Sequence, residues 1–235
     1  MLEGFHAVKH ALRFGAAIEL LVTSDPQELG RLADALAPDL GPRLAEAQVV
    51  ERELFEQLAP LAPSTPVMAI AGRPRQAPAA ILAGRHPAPV VLLEDPRDLG
   101  NMGACVRVAA AADAAGVLTT GTHDPWHPDA LRGAAGLHFA LPVARLEGMQ
   151  DLGDGGRPLL ALDPDGEPFD ARALPPRSVL AFGTERHGLS DELASRAQRL
   201  IRIPMRDGVS SLNLATAVAA VLFSWRTAVE SPEGA

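Results

Sequence analysis

Polar side chains in three glycine-containing segments are the candidates for chemistry in this sequence. The first motif, residues 92–116 (LLEDPRDLGNMGACVRVAAAADAAG), carries Asn101 and Arg107, and Arg107 lies in a predicted helix that is otherwise almost wholly alanine and valine. Asn101 can cap that helix, and Gly100 and Gly103 permit tight turns or close approach. A charged residue in so apolar a helix needs a partner, either a carboxylate or a ligand. The carboxylate candidates are Glu94, Asp95 and Asp98.

The second motif, residues 179–190 (VLAFGTERHGLS), is a predicted strand that ends at Gly183 and leads into a loop with Glu185 and Gly188. The GxxxxG spacing is not a P-loop, because Leu189 stands where the phosphate-binding lysine is required. The sequence has no GxGxxG at a strand–helix junction either. Glu185 is then either an exposed loop carboxylate or part of a site, and Ser190 is expected to cap the following helix.

The third motif, residues 200–225 (LIRIPMRDGVSSLNLATAVAAVLFSW), is a predicted strand, a glycine-containing loop and a helix that begins near Ser211. Ser211 and Asn213 are both ordinary capping residues. Two adjacent serines and an asparagine exceed what one helix cap needs, so a role with a ligand is also predicted here.

The elements that must position these motifs alternate between strands and helices. From residue 90 onwards, the apolar runs predict a mostly parallel α/β sheet with helices on both faces. Ligands of such sheets bind beyond the carboxyl ends of the strands, where the three motifs begin. The predicted strands are 90–93, 117–120, 141–145, 158–162, 179–182 and 200–203, and the predicted helices are 101–115 and 211–226.

The first part of the chain has its own alternation. Residues 1–72 predict a small α/β domain, residues 73–89 a proline-rich linker with one or two helical turns near 79–83, and residues 90–235 a larger domain. The small domain is expected to have helices over 4–14, 29–36 and 53–58, and strands over 18–22, 48–50 and 67–71.

Composition fits a globular, cytoplasmic protein. The 235 residues are 47% apolar and 21% charged, without an apolar run long enough to span a bilayer or the pattern of a signal peptide. The single cysteine, Cys105, cannot form an internal disulfide. The net charge of −8 argues against a simple nucleic-acid-binding protein, although a local basic patch, with Arg202 and Arg206 for example, is compatible with it.

Taken together, the three motifs closely resemble the signatures of the SpoU/TrmH branch of the SPOUT RNA methyltransferases over about residues 90–226. Order and spacing both match. The segments 3–12 (EGFHAVKHAL) and 49–60 (VVERELFEQLAP) resemble, more loosely, the small RNA-substrate-binding domain of many members. The matching residues are Asn101, Met102, Gly103, Ala104 and Arg107, then Gly183, Glu185, Gly188 and Leu189, then Ile203, Pro204, Met205, Ser211, Leu212 and Asn213.

The resemblance implies a C-terminal trefoil knot, a homodimer with sites completed across the interface, and S-adenosylmethionine as cofactor. Neither a metal nor a membrane partner is expected. The residues that it places at the cofactor are Gly183, Ile203, Leu212, Met205 and Gly188.

The reaction implied by the resemblance is methyl transfer to a ribose 2′-hydroxyl of ribosomal or transfer RNA. Arg107 is then central to catalysis, Asn101 and Glu185 orient it and the RNA, and Ser211 and Asn213 shape the acceptor and cofactor site. Two alternatives stay open: methylation of a base nitrogen, and a catalytically silent RNA-binding dimer with the same fold.

Some residues depart from the family pattern or invite another interpretation. Arg186 and His187 stand where many relatives carry a glycine-containing run, and Arg186 either contacts phosphate or is a solvated loop residue. His123 and His127 have a spacing compatible with a metal, but without a third ligand they are expected to be surface residues.

Overall fold

The computed structural model describes residues 1–153, 156–184 and 188–231, and within these ranges the chain forms two β-sheets. The first sheet has four strands in the order β1-β4-β2-β3. Strands β2 and β3 are parallel, and β4 runs antiparallel to both β1 and β2. The strands are β1 (Leu2–Glu3), β2 (Ile18–Thr23), β3 (Gln48–Val49) and β4 (Val67–Ala71).

Helices accompany this sheet close to the predicted positions. The first buries Phe5, Val8 and Leu12, which recur at the spacing of one helical face. The second begins earlier than predicted, because the Asp25 carboxylate accepts a hydrogen bond from Glu28 N at 2.9 Å and Pro26 fits the first turn. The helices are α1 (Phe5–Arg13), α2 (Pro26–Leu36), α3 (Gly41–Leu44), α4 (Arg52–Gln57) and, in the proline-rich segment, α5 (Pro78–Ala83).

The second sheet confirms the parallel α/β prediction. Its six strands have the order β10-β8-β9-β5-β6-β7, and every neighbouring pair is parallel. The strands that begin at residues 90, 116 and 179 are buried along their whole length, as expected for a sheet covered on both faces. The strands are β5 (Val90–Leu93), β6 (Gly116–Thr119), β7 (Val143–Arg145), β8 (Leu159–Pro168), β9 (Val179–Phe182) and β10 (Arg199–Arg202).

The edge pair of this sheet is irregular. Leu200 pairs with Ala161, but the next residue, Ile201, pairs with Glu167, so that residues 162–166 are left out of the register. This bulge carries β8 past its predicted end at 162. It also places residues 162–164 beside the segment that follows β10.

The second unit is the part of the chain that contains the six-stranded sheet, and the first unit is the part that contains the four-stranded sheet. Capping residues set where the helices of the second unit begin. They are α6 (Leu99–Ala111), α7 (Pro128–Gly133), α8 (Asp191–Arg196) and α9 (Leu214–Glu230), with a 3-10 turn over Leu137–Phe139. The predicted cap of α6 is wrong: Asp98 holds that position, and its carboxylate accepts from Asn101 N at 2.7 Å. Asn101 therefore lies inside the first turn, which leaves its side chain for other contacts. The caps at Ser190 and Asn213 are confirmed.

The apolar spacing in the last helix predicts a buried face of six residues, and this prediction is partly wrong: Leu212, Ala215, Val218, Ala219, Leu222 and Phe223. Because α9 begins after Asn213 rather than at Ser211, the buried face follows the spacing from Leu214. Phe223, expected on the buried face, is 44% exposed, and Leu212 is 40% exposed. The buried residues are Leu214, Val218, Val221, Leu222 and Trp225.

The two sheets share one continuous apolar cluster. Helix α1 packs against the turn after α7, where a Cβ on Gly136 would lie 2.4 Å from the carbonyl oxygen of Ala7. The proline-rich segment is held down as well: the buried Arg157 guanidinium donates to the carbonyl oxygens of Leu82, Gly84 and Ala88 at 2.8–2.9 Å. No helix in the described ranges combines the length and apolarity needed to cross a bilayer.

Candidate active site

The three polar motifs meet at one edge of the parallel sheet. Strand β5 leads into α6 with Asn101 and Arg107, the neighbouring strand β9 leads into Gly183, and β10 leads into the segment before α9. Because all six strands are parallel, their carboxyl ends lie at the same edge, where open α/β sheets bind ligands.

A direct hydrogen bond joins the first and third motifs. The Asn213 side-chain amide donates to Asn101 Oδ1 at 3.1 Å. Asn213 Oδ1 accepts from Ala215 N and Thr216 N at 3.0 and 3.3 Å, which fixes the orientation of the amide. Asn213 therefore has both roles that the sequence allowed, as the cap of α9 and as a partner within the site.

A small cavity lies next to this contact. Its volume is about 130 Å³, and its lining includes four predicted site residues, Ile203, Met205, Ser211 and Leu212. Cofactor sites are usually about 300–1,000 Å³, so this cavity holds only part of a large cofactor. Sequence analysis missed Asp163 and Pro164, which the bulge of β8 brings to the same cavity.

The glycines of the second motif, Gly183 and Gly188, are not among the residues that line this cavity. Thr184 N donates to Gly188 O at 2.8 Å, and Gly188 N donates to Thr184 O at 3.1 Å. A Cβ on Gly183 would lie 2.2 Å from the carbonyl carbon of Gly188, so only glycine fits there, and Gly188 has a φ of +68°. The predicted catalytic residue Glu185, with Arg186 and His187, lies outside the described residues.

Arg107 is exposed and does not form the ion pair that sequence analysis weighed. Asp98 accepts from Asn101 N, Asp95 pairs with Arg97 at 2.8 Å, and Glu94 bonds to another element. Within residues 1–153, 156–184 and 188–231, no salt bridge engages Arg107. The alternative in which Arg107 is merely a structural ion-pair partner of these three carboxylates is therefore wrong.

The contact between Glu94 and Ser190 was also missed from the sequence. Glu94 is 6% exposed, and its carboxylate accepts from Ser190 N at 2.9 Å and Ser190 Oγ at 2.5 Å. Glu94 N donates to Phe182 O at 2.9 Å. Glu94 thus holds both ends of the loop that contains Gly183 and Gly188. The available signal was a carboxylate directly after a buried strand, since such a group needs donors nearby.

The histidine pair of the sequence shows no ligand geometry. His127 Nδ1 accepts from Asp129 N at 3.2 Å and caps α7. Across the part of the chain that the structure describes, no three His, Cys, Asp or Glu side chains converge as metal ligands would. Cys105 is buried and, as the single cysteine of the sequence, forms no internal disulfide.

Comparison with known proteins matches this chain to one family. The model of the SpoU rRNA Methylase family matches residues 88–223, more than half of the chain. The chain is similar to the 23S rRNA (guanosine(2553)-2'-O)-methyltransferase of Bacillus subtilis, with 27% identity over 96% of this chain and 88% of that protein. Other curated relatives, at 30–32% identity, align over 50–62% of their own length, so the chain spans about half the length of these proteins.

Solved structures agree with this assignment. The AdoMet-bound rRNA methyltransferase of Sinorhizobium meliloti superposes with a TM-score of 0.73 at 29% identity, covering 97% of this chain and 87% of that one. The SpoU methyltransferase AviRb of Streptomyces viridochromogenes, with a TM-score of 0.77 at 24% identity, covers 96% of this chain and 88% of that one, and shares the fold. This chain belongs to the SpoU rRNA methylase family.

Proposed function

We propose that the chain is an S-adenosylmethionine-dependent methyltransferase that modifies a ribose 2′-hydroxyl of ribosomal or transfer RNA. The observation that carries this proposal is the hydrogen bond between Asn213 and Asn101 at the edge of the cavity lined by Ile203, Met205 and Leu212. It joins the polar residues of two motifs next to the residues expected at the cofactor. The names of the relatives, 2'-O-methyltransferases of 23S rRNA, support the same reaction.

The residues present fit the cofactor. Apolar walls from Ile203, Met205 and Leu212 suit the faces of an adenine, and the exposed Leu212 is available to cover a ligand. Gly183 and Gly188 keep the neighbouring backbone free of side chains. When bound, S-adenosylmethionine supplies an electrophilic methyl group on a sulfonium. The chain's part is to hold that group in line with the acceptor oxygen.

Arg107 is proposed to hold the RNA at the reacting ribose. Its guanidinium stays protonated, so it serves as a fixed positive charge and a donor to phosphate oxygens. A 2′-hydroxyl is a poor nucleophile near neutral pH and needs such a polarising contact. Asn101 and Asn213, locked to each other, and Ser211 at the cavity are proposed to shape the acceptor site. Glu185 is proposed to join them.

We also propose a homodimer and a trefoil knot in the C-terminal part of the domain over residues 90–235. Phe223 leaves an aromatic side chain 44% exposed on α9, which packs against α6. The outer side of α6 offers small or apolar residues, Ala104, Val108 and Ala111. Such a face suits an antiparallel or crossed contact with a second copy. Sedimentation equilibrium is expected to give twice the chain mass, and Phe223→Asp a single chain. A wild-type monomer refutes the dimer.

The remaining division of labour is part of the same proposal. Residues 1–72 would form the domain that binds the RNA substrate, and residues 73–89 would link it to the methyltransferase domain. We place the protein in the cytoplasm, where the RNA and a reduced Cys105 thiol are both expected.

The test is methyl transfer from radiolabelled S-adenosylmethionine to separate pools of unmodified ribosomal and transfer RNA. Label is expected in one pool and, after complete digestion, in 2′-O-methylated nucleosides. Label in a methylated base refutes ribose chemistry and selects the base-nitrogen alternative. RNA binding without label, on both free RNA and assembled ribosomal particles, selects the silent RNA-binding dimer.

A further inference from the structure

Helix α1 brings basic side chains from the first unit towards Arg107. Lys9, the only lysine in the sequence, has its Nζ 3.4 Å from His6 Nδ1. Burial, and then the positive charges of Lys9 and Arg107, lower the pKa of His6. Burial, Arg13 and Arg107 lower the pKa of Lys9, against an opposing effect of Asp39. The cations of the two units are therefore close enough to repel one another.

Packing fixes this arrangement. His10, one turn along from His6, forms a hydrogen bond from its Nδ1 to the carbonyl oxygen of Ala135 at 2.8 Å. Backbone packs on backbone at Gly136, whose missing side chain lets α1 approach. The 3-10 turn that follows Gly136 contacts both α1 and α6. The helix with Lys9 and the helix with Arg107 are thus braced against the same short segment.

Direct ion pairs do not neutralise this cluster in the described ranges. The nearby carboxylate of Asp39 acts on Lys9 but forms its salt bridge with Arg13, at 2.6 Å. Over the described parts of the chain, Lys9 and Arg107 form no salt bridge with any carboxylate. Most other arginines in the first unit do: Arg31 and Arg52, for example, pair within their own helices. In a chain with a net charge of −8, two nearby cations that form no direct ion pair within the described ranges mark a place for an anion from outside.

We propose that Lys9, oriented by His6, binds a backbone phosphate of the RNA next to the phosphate held by Arg107 of the same chain. This inference rests on the proposed function and deepens it. Each ribose lies between two phosphates. A cation on α1 that seats one phosphate therefore sets where the ribose lies relative to Arg107. His6, neutral near pH 8, accepts one hydrogen bond from the Lys9 ammonium. The two other N–H donors of Lys9 are then left for phosphate oxygens.

The experiment measures RNA affinity directly, without methyl transfer. A fluorescein-labelled 20-nucleotide RNA of mixed sequence and a 23S rRNA transcript are titrated at pH 8 over a range of KCl concentrations. The variants are Lys9→Ala, Lys9→Arg and His6→Ala. Arg52→Ala is the matched control, because Arg52 is exposed in the same unit and, among the described residues, its salt bridge is with Glu56. Thermal melting checks that each variant folds.

Loss of one phosphate contact predicts a definite change. Lys9→Ala is expected to reduce the slope of log K against log salt by about 0.7–0.9 and to weaken binding about five-fold at 0.15 M salt. Lys9→Arg is expected to retain the slope. His6→Ala, which removes an orienting but uncharged group, is expected to weaken binding while leaving the slope unchanged. Affinity for S-adenosylmethionine is expected to stay at the wild-type value in all variants.

The outcomes separate this inference from the proposed function. A Lys9→Ala protein with the wild-type slope and affinity overturns the inference, even if the wild type methylates RNA. Equal effects of Lys9→Ala and Arg52→Ala also overturn it, since they show a diffuse charge effect. If Lys9→Ala alters the slope but the wild type transfers no methyl group, the inference stands and the proposed function fails.

Discussion

Ser190→Ala tests how the loop of the second motif is held. In the wild type, Ser190 Oγ donates to Glu94 at 2.5 Å and accepts from Leu193 N at 3.1 Å. The substitution removes a hydrogen-bond donor from a carboxylate that is 6% exposed, and it removes the cap of α8. The backbone bond from Ser190 N to Glu94, at 2.9 Å, is retained.

The size of the effect follows from these two losses. A hydrogen bond to a charged group contributes about 1.5–3 kcal/mol to stability, and a helix N-cap typically about 1 kcal/mol. Ser190 is itself an exposed residue, so water replaces some of what is lost. We therefore expect a reduction of about 2–3 kcal/mol in the free energy of unfolding. We also expect weaker binding of S-adenosylmethionine, because the same loop carries Gly183 and Gly188.

Urea unfolding and calorimetric titration with S-adenosylmethionine measure both quantities. Ser195→Ala is the control, since Ser195 is exposed on the same helix and its Oγ donates to the carbonyl oxygen of Glu192 in the same helix, at 2.9 Å. It is expected to change stability by less than about 0.5 kcal/mol. Ser190→Thr keeps the hydroxyl and is expected to restore most of both properties.

A double-mutant cycle provides the refutation. Glu94→Gln and Ser190→Ala are expected to couple by about 1–3 kcal/mol because the side chains touch. Additive effects of the two substitutions, or a Ser190→Ala protein as stable as Ser195→Ala, would show that the contact between Glu94 and Ser190 does not hold the loop.

Three further predictions concern other parts of the structure. Asn213→Asp keeps the oxygen that caps α9 but loses the amide donor to Asn101. The melting temperature is therefore expected to stay near the wild-type value, while the rate of methyl transfer falls at least ten-fold. Equal rates of transfer in a single-turnover assay would contradict the role of this contact. Burial lowers the pKa of His138 from 6.5 to about 4. The unfolded chain then binds the proton first, and about 3 kcal/mol of stability is expected to disappear as the pH falls from 7 to 4. Urea unfolding is expected to show that the free energy of unfolding of His138→Gln lacks this loss between pH 7 and pH 4. The same pH dependence in His138→Gln and the wild type would contradict the prediction. Gly103→Ala places a Cβ 2.2 Å from a carbonyl oxygen of α7 and is expected to lower the free energy of unfolding by about 1–3 kcal/mol. Gly30→Ala, in open space on α2, is expected to leave this free energy unchanged or to raise it. Similar melting temperatures for the two variants would contradict the close packing of α6 on α7.

Local pattern predicted the strands of this fold except β1, whose two residues, Leu2 and Glu3, carry no strand pattern. The runs at 67–71, 90–93 and 179–182 are apolar throughout and bounded by polar, proline or glycine residues, and each forms a strand with the predicted bounds. Helix ends were predicted less well, because neighbouring residues compete for the capping position. Asp98 rather than Asn101 caps α6, and that difference frees Asn101 for the site.

The contacts that build the site are remote in sequence. Asn101 and Asn213 are 112 positions apart, and Glu94 and Ser190 are 96 apart. No periodicity in the sequence indicates which carboxylate contacts which hydroxyl. The sequence therefore offers Glu94 only as a candidate ion-pair partner of Arg107. The family resemblance indicates most residues of the candidate site. It does not indicate the bulge that brings Asp163 to the cavity, or that Lys9 lies near Arg107. Both depend on how separate elements pack.

The measurement that tests the central claim most directly is single-turnover methyl transfer to unmodified 23S rRNA by the wild type and by Arg107→Ala. Binding of S-adenosylmethionine to each protein is measured in parallel. Arg107 is exposed and outside the cavity lining, so the variant is expected to bind the cofactor like the wild type. Its transfer to ribose 2′-oxygens is expected to fall at least a hundred-fold. An Arg107→Ala protein that binds the cofactor and methylates at the wild-type rate would contradict the account.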